Sequence, residues 1–204
     1  MSRRIRQPIA PAAILLAVLL AMPSSARSTT QDARAFVSQL GNEAQAILQP
    51  SVSSAERATR MEALLRKAFD FDAIARSVAG RFWNRATPQQ QAEYQRVFGD
   101  FVVQSYSRQL GNETMKGFQV TGAKDVGDHD VIVDTAIDRP DGPPLRYGWR
   151  VREDGGSMKL VDVLVEGVSM TVTHRADFAT TFEKKGMEGI IAALKQKAAT
   201  GTGG

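Results

Sequence analysis

Three segments of alternating apolar and polar residues, close together in the chain, constrain the fold more than any other feature. The first runs over residues 131–138, the second over 145–152 and the third over 159–165. Side chains of a β-strand point to its two faces in turn, so each segment predicts a strand with one apolar face. The linkers "RPDGPP" and "EDGGS" are typical of turns. Short turns between successive strands indicate an antiparallel meander.

Charged residues of opposite sign occupy the polar faces of the first two strands. Aspartates such as Asp130 and Asp134 belong to the first strand, and arginines such as Arg150 and Arg152 to the second. Opposite charges that pair across neighbouring strands suit a face in contact with solvent. The other face of the sheet is apolar and needs a cover.

Helical periodicity before and after these strands supplies that cover. Thr87, Pro88 and Gln90 form a helix start in which threonine caps the first turn, and Gly111 supplies the stop. Apolar residues recur at helical spacing in segments 30–48, 54–68, 72–80, 88–111 and 178–194. With a weaker strand at 118–124, we predict an α+β fold. A four-stranded antiparallel sheet is covered on one face by about six or seven helices.

The alternation of apolar and polar residues shifts by one position within the segment "VDVLVEGVSMTVTHRADF". Val165 belongs to the odd-numbered apolar set, whereas Val168 and Met170 belong to an even-numbered one. Glycine tolerates backbone angles that other residues resist and often marks a bulge or bend in a strand. We therefore predict a bend at Glu166-Gly167 that keeps Val168 and Met170 facing the same interior as Val165. Ser169 or a following threonine would cap the next helix.

The first residues have the pattern of a secretory signal peptide. Arg3, Arg4 and Arg6 precede an apolar run from Ile9 to Met22, and small residues end at Ala26. We predict a signal peptide over residues 1–26, export of the mature chain, one domain over 27–199 and a loose tail over 200–204. Cleavage of the predicted signal peptide would remove three arginines and no acidic residue. The mature chain of 178 residues would then have a net charge near +1. That charge disfavours nucleic-acid binding, which needs clustered cations.

Candidate catalytic groups are sparse. The chain has no cysteine, which excludes thiol catalysis, disulfides and cysteine-ligated metals. His129 fits a solvated turn better than a metal site, and His174 with Asp177 lacks an accompanying nucleophile. Asp70 and Asp72 fit helix capping. We expect no enzymatic activity, no cofactor and no metal.

Motifs spread along the chain resemble the MlaC-type periplasmic lipid-binding proteins, also called toluene-tolerance auxiliary proteins, which include the hopanoid-associated HpnM group. The likeness covers about residues 60–196. It runs through "FDFDAIARSVAGRFWNRATPQQQAEYQRVFGDFVVQSYSRQL", "VDVLVEGVSMTVTHRADF" and "KKGMEGIIAAL". The order and spacing of these pieces carry the resemblance.

The resemblance implies a monomeric periplasmic carrier without catalysis. Such a protein holds a phospholipid by its acyl chains in an apolar cavity between the sheet and the helices. It carries the lipid between an outer-membrane lipoprotein complex and an inner-membrane ABC transporter with MCE-type subunits. With the alternating faces, it predicts a set of side chains that contact acyl chains: Trp83, Phe98, Phe101, Val102, Tyr106, Tyr147, Trp149, Val163, Val165, Val168 and Met170.

Three alternatives stay open. A hopanoid could be the cargo, as the resemblance to HpnM-like proteins implies. A lipoprotein chaperone or adaptor would bind acylated proteins instead. An isomerase or dehydratase on a similar scaffold would need an acid or histidine on the apolar face. Asp162 and Glu166 share the parity of Leu164, so we expect both to point outward.

Overall fold

A computed structural model describes residues 30–112, 115–127, 129–139 and 142–200. The predicted signal peptide and residues 201–204 of the predicted tail lie outside the described residues. Both therefore stay predictions, as does the assignment of residues 27–199 to one domain.

Helices precede and follow the strands, as the periodicity predicts. The helices are α1 Thr30–Ile47, α2 Ser54–Ala68, α3 Phe71–Ala79, α4 Pro88–Gly111 and α5 Met170–Thr200, and a 3-10 helix, Gly80–Arg85, links α3 to α4. The strands are β1 Gly117–Gly127, β2 Asp130–Asp138, β3 Leu145–Asp154, β4 Ser157–Val165 and β5 Val168–Ser169. Gly186 has φ 62° and ψ −160°, which kinks α5 and divides it into two helical stretches.

The sheet is an antiparallel meander in the order β1-β2-β3-β4-β5. The α+β class and the antiparallel topology are confirmed. The strand number differs by one, because β5 has two residues and pairs with the end of β4. Alternation cannot be recognised over so short a segment.

An irregularity between β3 and β4 changes which residues of β4 face the helices. Arg150 pairs with Asp162, but the next residue, Val151, pairs with Leu160, so Val161 is an extra residue in β4. Such a bulge bends a strand and shifts its alternation. Leu160 therefore packs in the core against Val151, although its parity differs from that of Val163.

The chain reverses direction at Glu166-Gly167. Glu166 has φ 49° and Gly167 has φ 85°, and Val165 pairs directly with Val168 across the turn. Positive φ at both central residues is typical of a tight hairpin turn of type I′. The predicted bend within one strand is wrong in this respect, because the shift in alternation marks a hairpin. The predicted cap is confirmed, since Ser169 Oγ accepts a hydrogen bond of 3.2 Å from Val172 N in the first turn of α5.

The helices cover one face of the sheet in two groups. Helices α1 and α2 pack on β1–β4 around Val37, Val133 and Leu160. Helices α3, α4 and α5 form a second core around Phe98 and Phe182. Thr87 and Gln90 make the predicted reciprocal cap at the start of α4, which fixes where that helix begins.

Candidate functional site

A first cavity lies between the helical cover and strands β3 and β4. Its volume is about 180 Å³. The helical side is lined by Phe71 and Ile74 of α3 and by Phe98 and Val102 of α4, among others. Val163 lines the sheet side. Nearly the whole surface is hydrocarbon, so this cavity suits an apolar ligand.

A second apolar cavity, of about 130 Å³, lies between helices α1 and α2 and the sheet. Leu40 lines it from α1, Leu48 from the turn just after α1, and Met61 from α2. Phe118 of β1 and Tyr147 of β3 contribute from the sheet side. The two helix groups of the fold thus each enclose an apolar space against the same sheet.

Four side chains separate the two cavities and line both of them. They are Leu65, Phe69, Leu110 and Trp149, and we call them the partition. The indole Nε1 of Trp149 donates a hydrogen bond of 2.8 Å to Thr135 Oγ1, and its ring stacks on Tyr147 with centroids 5.7 Å apart. These contacts satisfy the polar atom of a large aromatic side chain and fix its orientation. These four residues are therefore the common wall of the two spaces.

Two polar side chains meet in the wall of the first cavity. Tyr106 Oη of α4 lies 3.4 Å from His174 Nε2 of α5. The His174 ring stacks on Phe178 at 5.7 Å and meets Phe98 edge-on at 6.5 Å. We call Tyr106 and His174 the Tyr–His pair.

Burial keeps both members of this pair neutral near pH 7. Burial lowers the pKa of His174, and the carboxylates of Asp177 and Asp162 oppose that shift without reversing it. Burial, together with the charge of Asp177, raises the pKa of Tyr106. The pair therefore offers neutral hydrogen-bonding groups inside an apolar wall.

Asp162 also lines the first cavity, where it holds the start of α5. Its carboxylate accepts hydrogen bonds from Ser169 Oγ at 2.5 Å, from Thr171 N at 3.0 Å and from its neighbour Val163 N at 2.9 Å. The expectation that Asp162 points outward is therefore wrong. An edge position near the hairpin lets the carboxylate turn to the helix terminus, where donors are available.

An open groove of about 1190 Å³ lies mainly along the other face of the sheet. Asp134, Arg146 and Glu166 are among its lining residues, so the groove is far more polar than the two cavities. Its polarity makes it unsuited to shielding hydrocarbon from water. The two cavities are therefore the candidate site for an apolar ligand.

Within the described ranges, no group of three or more histidine, aspartate or glutamate side chains is arranged to hold a metal ion. No helix in the described part of the chain is long and apolar enough to cross a membrane. His129 lies in a turn between β1 and β2 with φ 64° and is exposed, as predicted.

The model of the MlaC protein family matches residues 38–196, which is more than half of the chain. The chain belongs to the MlaC family. This confirms the resemblance found in the sequence motifs.

Two MlaC-like proteins show how far the similarity extends. The intermembrane phospholipid transport system binding protein MlaC of Haemophilus influenzae is 26% identical over 125 residues, which are 59% of this chain and 58% of that protein. The solved structure of a phospholipid-binding protein from Ralstonia solanacearum, in complex with a phospholipid, superimposes with a TM-score of 0.72. It is 24% identical, and the match covers 83% of this chain and 98% of that chain. This likeness confirms the fold.

Most residues that the sequence predicts for the MlaC-like site line a cavity. Those that line the first or second cavity are Phe98, Val102, Tyr106, Tyr147, Trp149, Val163, Val165 and Met170. Their contact with a lipid stays a prediction.

Three predicted site residues lie elsewhere. Trp83 packs against the second core beside Arg76, whose guanidinium lies 5.2 Å from the ring centroid, and Phe101 is buried within that core. Val168 pairs with Val165 but is 59% exposed at the sheet edge, so the expectation that it faces the interior is wrong. Its two-residue strand ends the sheet and leaves this side chain largely exposed.

Sequence reasoning missed the contributions of α2 and α3 to the site. Leu65 and Phe69, at the end of α2, belong to the partition, and Phe71 and Ile74 line the first cavity. The motif "FDFDAI" contains three of these four residues, so the apolar members of that motif were the available signal. Their position over the sheet depends on contacts distant in sequence, such as the hydrogen bond from Asp70 N to Leu160 O.

Proposed function

We propose that this chain is a non-catalytic lipid carrier that holds phospholipid acyl chains in the two apolar cavities and moves the lipid between membranes. The observation that carries the proposal is the pair of apolar cavities between helices and sheet. Membership of the MlaC family supports it. So do the names of the similar proteins, one a phospholipid transport binding protein and the other a phospholipid-binding protein in complex with its ligand.

The energetics of lipid movement explain why such cavities are needed. Exposure of a methylene group to water costs about 0.8 kcal/mol, so roughly thirty methylenes cost on the order of 25 kcal/mol. A carrier that covers most of the chains removes most of this cost. It must also release the lipid, which favours a cavity that opens over one that is rigidly closed.

The present cavity volumes indicate that loading requires expansion. Volumes of about 180 and 130 Å³ are below the roughly 300 to 1,000 Å³ of pockets that enclose drug-sized ligands, and a diacyl lipid is larger still. We propose that each cavity takes one acyl chain and that the partition residues move apart around the glycerol end. Met170 and Met61, which line the first and the second cavity, can adapt to chains of different length.

The cellular setting of the proposal is the periplasm. The predicted signal peptide and the near-neutral mature charge fit an exported carrier that must leave either membrane surface. We propose that it exchanges lipid with an outer-membrane lipoprotein complex and an inner-membrane ABC transporter with MCE-type subunits. The name of the Haemophilus influenzae relative, which specifies an intermembrane phospholipid transport system, supports this proposal.

Substitution of Val163 by arginine tests the proposal. Val163 lines the first cavity opposite the helices, and a buried unpaired cation is strongly unfavourable in an apolar space. Native mass spectrometry of the freshly purified protein should show bound phospholipid in the wild type, and Val163→Arg should reduce the loaded fraction at least tenfold. The matched control is Val126→Arg, because Val126 of β1 is 39% exposed and lines neither cavity.

The outcomes separate the candidate cargoes. Extracted phospholipid supports the proposal, whereas extracted hopanoid or an acylated protein identifies one of the other cargoes. Wild-type protein that carries no lipid and takes up none from phosphatidylglycerol vesicles contradicts a carrier function. Circular dichroism of both variants confirms that the fold is retained.

A further inference from the structure

The Tyr–His pair differs from the carboxylate of Asp162, which also belongs to the first cavity. That carboxylate accepts three hydrogen bonds, from Val163, Ser169 and Thr171. Tyr106 Oη and His174 Nε2 have each other at 3.4 Å, and no further hydrogen-bond partner for either side chain is found among the described residues. The pair is therefore an aromatic polar part of this wall that has hydrogen-bonding capacity left over.

The number of N–H and O–H groups in the pair shows how many hydrogen bonds it can still donate. A phenol has one O–H and a neutral imidazole has one N–H, so the pair has two donors. The contact between them uses one of these donors. The other is available to an acceptor that enters the cavity.

The surroundings favour a neutral acceptor over an anionic one. Both members of the pair are neutral near pH 7 because they are largely buried. The negative charge of Asp177 acts on both, and that of Asp162 acts on His174. These two carboxylates would repel a phosphate group, whereas a carbonyl oxygen accepts a hydrogen bond without bringing a net charge into the cavity.

Ring contacts from two helices fix the pair in place. His174 lies between Phe178 and Phe98, and its ring meets Tyr106 edge-on with centroids 6.4 Å apart. A donor held in this way is preorganised for an acceptor at one depth in the cavity. An acyl chain carries such an acceptor at its ester end, next to the hydrocarbon that the rest of the wall covers.

We propose that the Tyr–His pair is a specificity determinant that donates a hydrogen bond to an ester carbonyl of a bound diacyl glycerolipid. The inference rests on the proposed carrier function and adds to it a means of selecting among apolar cargoes. A lipid with ester-linked chains gains the hydrogen bond. An ether-linked lipid, or a polycyclic hydrocarbon without a carbonyl, leaves the donor unpaired.

Competition between two lipids tests the pair directly. The full chain, freed of lipid, is mixed with equal amounts of dipalmitoyl phosphatidylglycerol and its di-O-hexadecyl ether analogue, and native mass spectrometry measures the ratio of the two loaded forms. One neutral hydrogen bond corresponds to about a three- to tenfold preference. We expect that preference for the ester in the wild type and a ratio near one in Tyr106→Phe.

Three further variants guard against indirect effects. Tyr94→Phe removes a hydroxyl from the same helix, and that hydroxyl is buried without a partner and lines neither cavity, so the ester preference should persist. His174→Gln keeps an amide donor and should retain part of the preference, whereas His174→Leu should abolish it. Circular dichroism establishes that each variant is folded.

Failure of the inference is distinct from failure of the proposed function. Wild-type protein that takes up ester and ether lipids equally contradicts the role of the pair and leaves the carrier function intact. Retention of the full ester preference by Tyr106→Phe and His174→Leu contradicts it as well. Uptake of neither lipid contradicts the carrier function itself.

Discussion

His174 shows how one buried side chain can couple the site to pH. Its pKa is lowered from the usual 6.5 mainly by burial, while Asp177 and Asp162 favour the charged form and Tyr106 faces it from α4. In the unfolded chain His174 has an ordinary pKa. As the pH falls below about 6.5, the unfolded state takes up a proton that the folded state resists.

The expected result is a loss of stability on mild acidification. The free energy of unfolding should fall between pH 7.5 and pH 5.5 by up to about 1 kcal/mol more in the wild type than in His174→Gln. Urea unfolding at both pH values measures the difference. An equal pH dependence in the two proteins would show that His174 binds protons as readily when folded as when unfolded.

Sequence patterns predict one member of this pair and leave the other open. Tyr106 belongs to the apolar face of the clearest helix, α4, so its inward direction follows from local periodicity. His174 gives no comparable signal, because its partner is 68 residues away in the sequence and on another helix. Contacts between distant segments depend on helix packing, which periodicity alone does not specify.

At the scale of the secondary-structure element, a buried aspartate joins strand β2 to strand β3. Asp130 of β2 has a side chain with 0% exposure and binds Arg150 Nε and Arg152 Nε, each at 2.7 Å. Burial by itself raises the pKa of Asp130, but hydrogen bonds from Arg152 and Arg150 outweigh it and hold the pKa below 3.8. The predicted pairing of acids with arginines is present here, although this acid is buried and not solvated.

Substitution of Asp130 by asparagine should destabilise the sheet. Loss of the charge removes the ion pairs that Asp130 makes with two partly exposed arginines, and we expect a cost of about 2 kcal/mol by urea unfolding. Asp134→Asn on the same strand is the control, with an expected change within about 0.5 kcal/mol. The difference between wild type and Asp130→Asn should shrink as the pH falls below about 3.8, because the carboxylate is then protonated in the unfolded chain and increasingly in the folded one. Equal stability of the two variants at pH 7 would contradict a structural role for this ion pair.

The presence of each strand of the meander could be predicted from the sequence, whereas the register of β4 with its neighbours could not. Each meander strand has its own alternation and turn residues, so it can be identified from a few neighbouring positions. The extra residue Val161 and the hairpin at Glu166-Gly167 break that alternation, and a broken pattern fits a bulge, a bend or a turn equally well. The orientation of Val168 follows from the hairpin, and that of Asp162 follows from its hydrogen bonds to the start of α5. Alternation along a strand shows neither of these, which is why both were predicted wrongly.

At the scale of the whole molecule, the site exists because two helix groups close over one sheet. The predicted fold class implies a covered apolar face, but not that the cover leaves two spaces divided by side chains. That division depends on where the end of α2 lies, which the hydrogen bond from Asp70 N to Leu160 O and the pairing of Phe69 with Leu160 fix against β4. The prediction of an apolar cavity between helices and sheet was therefore correct, but it did not include the division of that cavity into two spaces.

The position of Trp149 in the partition gives the protein a built-in optical reporter. The chain has two tryptophans, and Trp83 lines neither cavity. In Trp83→Phe, the remaining fluorescence comes from an indole that touches both spaces. Phospholipid with brominated acyl chains should quench that emission strongly when it loads, whereas Trp149→Phe, which retains Trp83, should be quenched far less. Equal quenching in the two variants would place the acyl chains away from the partition, and a graded response of Trp83→Phe would allow lipid entry and exit to be followed in real time without an added dye.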